Sequence, residues 1–204
     1  MILLHLDSSI LGHNSVSRTL SAAVVAQLQA ADPSIQLVYR DLAAEPVAHL
    51  SGLYLAAGQA AASQHDAALT HDLAVGEQVM EEFLAADTVV MGVAQYNFSV
   101  PSQLKAWIDR ISVAGKTFRY TEAGPEGLAG GKRVILALAR GGFYEPGMPT
   151  EHLEHTLSYL RSILSFWGID DPEVITADGL AVGAEQRDAS IKAALDQISS
   201  LKAA

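Results

Sequence analysis

The sequence predicts one doubly wound α/β domain, in which helices cover both faces of a parallel sheet. Short apolar runs typical of buried strands alternate along the 204 residues with segments of helical periodicity. Parallel strands that are joined through helices need cover on both faces of their sheet. The length is sufficient for a single core, so we expect residues 1–204 to form one domain.

Five runs rich in Val, Ile and Leu are predicted to be the strands of this sheet. They cover residues 2–7, 35–40, 88–93, 133–139 and 173–177. None approaches the ~18 consecutive apolar residues that mark a transmembrane helix. We therefore expect no membrane insertion.

Five helices are predicted between and after these strands, over residues 15–30, 70–85, 102–112, 151–166 and 184–202. The first places Leu20, Val24 and Leu28 on one face. It is expected to end at Asp32, because a residue that precedes proline avoids the α conformation.

Two long segments, 41–66 and 115–131, do not fit this alternation. Loops of such length are uncommon in compact domains and often have a function. The first segment carries apolar residues, among them Leu53 and Tyr54, which is compatible with a subunit interface.

The composition excludes several classes of function. A formal net charge of -10 argues against nucleic acid and anionic membranes as partners. The absence of cysteine excludes thiolate catalysis and Cys-ligated metals, so redox chemistry would need a bound cofactor. His152 and His155 match no zinc motif, and we expect no metal site. The first residues enter a strand without a basic leader, so we expect no secretory signal and a cytoplasmic protein.

The loop after the first strand is rich in small polar side chains, with Ser9, Asn14, Ser15 and Ser17 close to a predicted helix start. Hydroxyl groups and free backbone N–H groups at such a position form a phosphate site. An ordinary N-cap is the alternative, but a cap needs one such residue and four are present. The motifs G-x-x-x-x-G-K-[ST] and G-x-G-x-x-G are absent, which argues against a P-loop and a classical dinucleotide fold.

The loops after the third and fourth predicted strands add an aromatic surface and a glycine pair. Tyr96, Asn97 and Phe98 follow the third strand, where open parallel sheets bind ligands. A solvent-exposed loop that caps the core explains this stretch equally well. Gly141 and Gly142 would let the backbone approach a flat ligand, although a tight turn also uses such a pair. Together the three loops suit a flat heteroaromatic group carried on a phosphate, and flavin mononucleotide (FMN) fits best.

The sequence resembles the FMN-dependent NADH:quinone oxidoreductases known as azoreductases, which have a flavodoxin-like fold. The resemblance runs nearly end to end and lies in segments that follow the same order. These segments are Ser8-Ser9-Ile10-Leu11, Ser15-x-Ser17, Arg40-Asp41-Leu42-Ala43, Tyr96-Asn97-Phe98, Gln103-Leu104-Lys105, Thr117-Phe118-Arg119-Tyr120-Thr121-Glu122, Gly124-Pro125-Glu126-Gly127-Leu128 and Arg140-Gly141-Gly142. It implies a five-stranded parallel sheet of order 2-1-3-4-5 within a single FMN-binding domain, residues 1–204.

The resemblance also implies the residues of the cofactor site. It assigns the FMN phosphate to Ser9, Ser15, the backbone of Val16, and Ser17. It assigns the isoalloxazine ring to Gln95, Tyr96, Asn97 and Phe98, and its pyrimidine edge to Ala139, Arg140, Gly141 and Gly142. Substrate-shaping residues, none of them an acid or base, would be Tyr96, Asn97, Phe98, Tyr120 and Ile163.

The implied activity is the two-electron reduction of quinones and azo compounds by NADH or NADPH, in a ping-pong mechanism through bound flavin. The family works as a homodimer with both sites at the subunit interface, which would give the two long segments a purpose. A flavodoxin-type electron carrier and an interaction protein that has lost its flavin are the alternatives. Steady NADH oxidation with a quinone, or failure to take up FMN, would separate them.

Four positions depart from the family pattern. Ala94-Gln95 stands where the family has Pro-Met, so a Gln side chain could add a hydrogen bond or shift the flavin potential. Ala139 replaces a usual Ser, and Ile163 replaces a Phe found in some members. These departures bear on substrate preference more than on the identity of the cofactor.

Overall fold

A computed structural model describes residues 1–57 and 65–202 of the chain. Its strands are β1 (Ile2–Asp7), β2 (Gln36–Asp41), β3 (Thr88–Ala94), β4 (Phe118–Thr121), β5 (Gly124–Gly127), β6 (Arg133–Ala139) and β7 (Glu173–Ala177). Its α-helices are α1 (Val16–Ala31), α2 (Gly52–Ala57), α3 (Ala67–Ala85), α4 (Ser102–Ile111), α5 (Thr156–Phe166) and α6 (Ala184–Ser199). Over these residues no helix combines the length and apolar character that crossing a membrane requires.

Five of the strands form a parallel sheet in the order β2-β1-β3-β6-β7. The other two strands, β4 and β5, pair with each other as a separate antiparallel hairpin. The predicted numbering, 2-1-3-4-5, did not include this hairpin. Its second strand, Gly124-Pro125-Glu126-Gly127, lacks the alternating apolar residues that indicate a strand.

Apolar residues of the sheet pack into one core on each face. Alternate side chains of β3 point to opposite faces, so Val89 and Met91 join one core while Val90 joins the other. Helices α3, α4 and α5 cover the first core, and helices α1 and α6 cover the second. Because both faces are covered, every residue of β3 is buried.

Two predicted segments differ in detail from the structure. The predicted helix 151–166 is a turn of 3-10 helix, Glu151–Leu153, followed by α5. The break follows from Glu154, whose carboxylate accepts hydrogen bonds from the backbone N–H groups of Thr156, Leu157 and Ser158 and so caps a new helix. In the predicted long segment 41–66, residues 58–64 lie outside the described residues, and α2 lies in the rest.

The sheet register brings four loops together at one edge. Ala94 at the end of β3 pairs with Ala139 at the end of β6, and Ala139 pairs with Ala177 of β7. On the other side, Asp7 of β1 pairs with Gly92 of β3. The loops that follow these four strands are therefore neighbours at the carboxyl edge, where open α/β sheets bind ligands.

Candidate functional site

Two adjoining cavities lie among these loops. The inner cavity has a volume of about 220 Å³ and contains residues predicted for the cofactor, namely Ser9, Ser15, Val16, Gln95, Tyr96, Ala139 and Gly141. The outer cavity has a volume of about 710 Å³ and shares Gln95 and Tyr96 with the inner one. The structure therefore brings predicted residues from three separate loops together at a single place.

The start of α1 forms the polar end of the inner cavity. Ser9, Ser15 and Ser17 are almost completely buried, and the Oγ atoms of Ser15 and Ser17 lie 3.0 Å apart. Ser15 is the N-cap, and its Oγ accepts a hydrogen bond from the backbone N–H of Arg18. Within the described chain, no hydrogen bond uses the backbone N–H of Val16 or Ser17. Both N–H groups are thus available to an anion.

Arg18 holds the first part of this loop in place. Its Nε and Nη2 donate to the carbonyl oxygen of Ser9 at 3.2 and 2.9 Å. Its Nη1 and Nη2 also donate to the two carboxylate oxygens of Asp41, each at 2.6 Å. The hydrogen bond with Arg18 keeps the pKa of Asp41 below its usual value. Because Arg18 is paired in this way, its charge is not free for a ligand.

A cluster of polar side chains lies beneath the loop and is centred on the buried Asp7. The carboxylate of Asp7 accepts hydrogen bonds from Ser21 Oγ at 2.8 Å and from the Tyr39 hydroxyl at 3.1 Å. Burial, followed by the nearby Asp7 charge, raises the pKa of Tyr39 to about 12. A Cβ atom on Gly92 would collide with the Asp7 carboxylate, so this position of β3 requires glycine.

The loop after β3 is a tight turn that presents Asn97 and Phe98. The N–H and carbonyl groups of Tyr96 and Ser99 exchange hydrogen bonds of 3.0 and 3.1 Å. Between them, Asn97 and Phe98 have φ angles of 48° and 69°, in the left-handed region that side chains other than glycine rarely adopt. Asn97 lines the outer cavity, whereas Phe98 is half-exposed and lines neither cavity.

Gln95 is held at both its backbone and its side chain. Its N–H donates to the carbonyl oxygen of Ala139 at 2.9 Å. Its side-chain Oε1 accepts a hydrogen bond from Thr156 Oγ1 at 3.0 Å, while its Nε2 makes none within the described residues. Since Gln95 lines both cavities, the free N–H groups of its amide are available at their junction.

Arg140 is the predicted cofactor residue whose side chain is engaged elsewhere. Its Nε and Nη2 donate to the two carboxylate oxygens of Asp178 at 2.6 Å each, and both side chains are buried. Burial lowers the pKa of Arg140, but the hydrogen bond to Asp178 together with the negative charges of Asp178, Glu154 and Glu145 outweighs it, so the pKa is raised. Arg140 lines a different cavity, together with Tyr144. A direct contact between this side chain and a cofactor stays a prediction.

Four other predicted residues line neither the inner nor the outer cavity, namely Ser17, Gly142, Tyr120 and Ile163. Ser17 touches the site through Ser15, and Gly142 lies one residue beyond Gly141. Tyr120 lies on the β4–β5 hairpin, 75% exposed, and Ile163 packs against the core beneath α5. The roles assigned to Tyr120 and Ile163 stay predictions.

The sequence prediction missed the contribution of the fourth loop. Leu180 and Ala181, in the loop after β7, and Arg187, in the first turn of α6, line the inner cavity. The outer cavity adds Ile10, Gln103 and Tyr159. The available signal was the fifth strand itself, because its loop must emerge at the same edge as the other three.

This arrangement is suited to binding and placing a ligand. Hydroxyl and N–H groups at the inner end can hold a phosphate, and the Tyr96 ring with backbone of the glycine loop can hold a flat group. Neither cavity is lined by a carboxylate or an imidazole of the described residues. No cluster of His, Asp and Glu within residues 1–57 and 65–202 could hold a metal ion.

Comparisons with known proteins agree with this geometry. A family model described as a flavodoxin-like fold matches residues 1–201. The chain is 60% identical over 202 residues to the FMN-dependent NADH:quinone oxidoreductase of Xanthomonas campestris, covering 98% of this chain and 99% of that one. It is 56% identical over 204 residues to the enzyme of the same name from Methylorubrum extorquens, covering all of both. Among solved structures, an azoreductase from Bacillus anthracis superposes with a TM-score of 0.86 at 29% identity, covering 98% of this chain and 97% of that one.

Proposed function

The chain belongs to the flavodoxin-like family of FMN-dependent NADH:quinone oxidoreductases, and from this membership we propose its function. The protein binds FMN within a single domain and uses NADH to reduce quinones and azo compounds by two electrons. Donor and acceptor use the same site in turn, in a ping-pong mechanism. The observation that carries the proposal is the donor set at the start of α1.

This donor set fits the phosphate of FMN. The buried hydroxyls of Ser9 and Ser15, with the free N–H groups of Val16 and Ser17, lie around a helix N-terminus. Such a set stabilises an anion through hydrogen bonds and the helix dipole, without a lysine. The Ser17 hydroxyl, 3.0 Å from that of Ser15, would orient it toward the phosphate.

The residues that line the rest of the inner cavity suit the flat part of the cofactor. Tyr96 and Gln95 line one side, and Ala139 and Gly141 line the other. Gly141 has no side chain, so its backbone can approach a ring edge closely. When bound here, FMN would supply the two-electron redox chemistry between nicotinamide and acceptor. The protein is left with binding, orientation and the exclusion of water.

The outer cavity is the proposed place for the nicotinamide and then the acceptor. Its volume of about 710 Å³ is that of an ordinary small-molecule site. Tyr96 and Tyr159 offer ring surfaces for flat substrates, and Asn97 offers an amide for a carbonyl oxygen. Because this one cavity suits both the nicotinamide and the acceptor, it supports a mechanism in which they bind there in turn.

The proposal includes a homodimer. Leu53, in the segment after β2, is 72% exposed, and Tyr120 on the hairpin is also highly exposed. Exposed apolar side chains on these two segments support a subunit contact. Tyr120, which contacts neither cavity of its own chain, would then complete the site of the second copy. Light scattering should give twice the chain mass of 21.6 kDa, and Leu53→Glu should lower it to the monomer value. A monomer mass for the wild type would contradict the proposed homodimer.

Steady-state kinetics test the function. With FMN present, the protein should oxidise NADH continuously when a quinone or an azo dye is supplied. Double-reciprocal plots at several quinone concentrations should be parallel, whereas converging lines would contradict the ping-pong mechanism. The double variant Ser15→Ala, Ser17→Ala should lose FMN binding. Ser162→Ala, which changes an exposed hydroxyl on α5, should behave as the wild type.

A further inference from the structure

Arg187 is the feature of the inner cavity that the proposed function does not yet explain. It lies in the first turn of α6, and it is the one charged side chain among the described residues that line this cavity. Its guanidinium makes no hydrogen bond or ion pair within the described part of the chain. A cation thus faces the cavity without a protein partner.

The fold brings Arg187 near the start of α1. Helices α1 and α6 pack together in the same core, through residues such as Leu28 and Ala194. Each helix follows a strand of the parallel sheet, β1 or β7, so both helices begin at the carboxyl edge. The side chain of Arg187 consequently lines the same cavity as Ser9 and Ser15.

The position is unfavourable for arginine unless an anion is bound. A positive charge in the first turn of a helix opposes the helix dipole, which favours negative groups there. An ion pair would offset this cost, but Arg187 has none within the described residues. An anion bound in the cavity would interact favourably with the guanidinium and with the N-terminus of α1.

The two arginines nearest the inner cavity, apart from Arg187, are already paired. Arg18 is paired with Asp41, and Arg140 is paired with Asp178. A phosphate that enters the cavity therefore meets hydroxyl and N–H groups, but Arg187 is the charge available to balance it. This matters in a protein whose formal net charge is -10, because the overall potential repels anions.

We propose that Arg187 binds the phosphate of FMN and strengthens the preference of the site for the phosphorylated flavin. Its guanidinium would donate charge-assisted hydrogen bonds to phosphate oxygens opposite those held by α1. Only one part of this inference, the identity of the ligand as FMN, rests on the proposed function.

The test compares two flavins that differ by the phosphate. Dissociation constants of FMN and riboflavin are measured by flavin fluorescence on the full-length apoprotein. For Arg187→Gln we expect FMN to bind about tenfold more weakly or worse, the effect of losing one charge-assisted hydrogen bond, while riboflavin is unaffected. FMN binding to the variant should also depend less on salt. Arg187→Lys should recover part of the loss.

Lys192→Gln is the matched control. It removes one positive charge from the same helix, at an exposed position paired with Asp196. It should bind both flavins as the wild type does. Thermal unfolding of the apoproteins should show that both variants are folded.

Three outcomes would overturn the inference. If the wild type binds FMN and Arg187→Gln binds it equally well, Arg187 does not contact the phosphate, and the proposed function stands. If FMN and riboflavin affinities fall together, the role of Arg187 is structural. If the wild type binds neither flavin, the inference and the proposed function both fail.

Discussion

The hydroxyl oxygen of Ser9 lies 2.9 Å from the hydroxyl oxygen of Tyr96. This hydrogen bond joins the loop after β1 to the loop after β3, which are neighbours because the two strands pair in the sheet. Arg18 holds the carbonyl group of Ser9 from the other side. The phosphate end and the aromatic wall of the cavity are therefore fixed relative to each other before a ligand binds.

Removal of the Tyr96 hydroxyl should weaken cofactor binding. Tyr96→Phe leaves the ring but removes the side-chain partner of Ser9 Oγ, which among the described residues keeps only the N–H of Leu11; the loss costs about 0.5–1.5 kcal/mol, or roughly two- to tenfold in FMN affinity. Isothermal titration of the apoprotein with FMN measures the change. Tyr144→Phe, outside both cavities, is the control. Equal affinities for the wild type and Tyr96→Phe would show that the hydrogen bond does not support the site.

Replacement of Asp41 should destabilise the protein in a pH-dependent manner. Asp41→Asn removes the charge that pairs with Arg18, at a cost of about 1–3 kcal/mol in the free energy of unfolding at neutral pH. The folded-state pKa of Asp41 is lowered, so its contribution is complete above its ordinary pKa and is lost as the pH falls through the folded value.

Urea unfolding measures this difference at several pH values. The difference in the free energy of unfolding between the wild type and Asp41→Asn should be constant from about pH 7 to pH 5 and should decrease below about pH 4. Other carboxyl groups titrate in both proteins and cancel in the comparison. A gap that stays constant down to pH 3 would mean that Arg18 does not lower the pKa of Asp41.

The side chain of Gln95 should raise the potential of the flavin. Thr156 holds its Oε1, so its amide nitrogen is free to donate to reduced flavin, which carries more negative charge than the oxidised form. For Gln95→Met we expect a midpoint potential about 10–30 mV lower, equivalent to one hydrogen bond in a two-electron couple. Spectroelectrochemistry measures it, with Gln103→Met in the outer cavity as the control. An unchanged midpoint potential in Gln95→Met would show that the Gln95 side chain does not stabilise reduced flavin.

The pair formed by Arg140 and Asp178 should be important for stability. Asp178→Ala removes the bidentate partner of a buried guanidinium and leaves, within the described part of the chain, only the Glu154 carboxylate, 3.7 Å from Nη1; it should cost about 3 kcal/mol in the free energy of unfolding. Denaturant unfolding measures the loss. Asp196→Ala, which breaks the exposed pair with Lys192, should have little effect. Similar stabilities of the two variants would contradict the structural role given to Arg140.

The sheet was predictable because its strands are simple in sequence. After their first residues, the strands Thr88–Ala94 and Arg133–Ala139 contain no polar side chain, since both faces of a parallel sheet are buried. The hairpin over residues 118–127 was not predicted, because its strands are exposed and one contains proline. The break before α5 depends on the carboxylate of Glu154, and a single capping residue is a weak signal within a helical pattern.

The candidate site was predictable as a set of loops, but its internal contacts were not. The pairing of Arg18 with Asp41 joins residues 23 positions apart and exists because β1 lies beside β2. The left-handed conformations of Asn97 and Phe98 could not be predicted, because such conformations are usually signalled by glycine and neither residue is one. The pairing of Arg140 with Asp178 was equally unpredictable, because the two residues are 38 positions apart and only the fold brings them together.

The most direct test of the account is a visible absorption spectrum of the purified protein, followed by anaerobic addition of NADH and then of a quinone. We predict the spectrum of bound flavin, which NADH should bleach and the quinone should restore. A flavin spectrum that NADH and NADPH both leave unchanged would contradict the enzymatic function and favour an electron carrier. A protein that remains colourless after incubation with FMN would contradict the central claim.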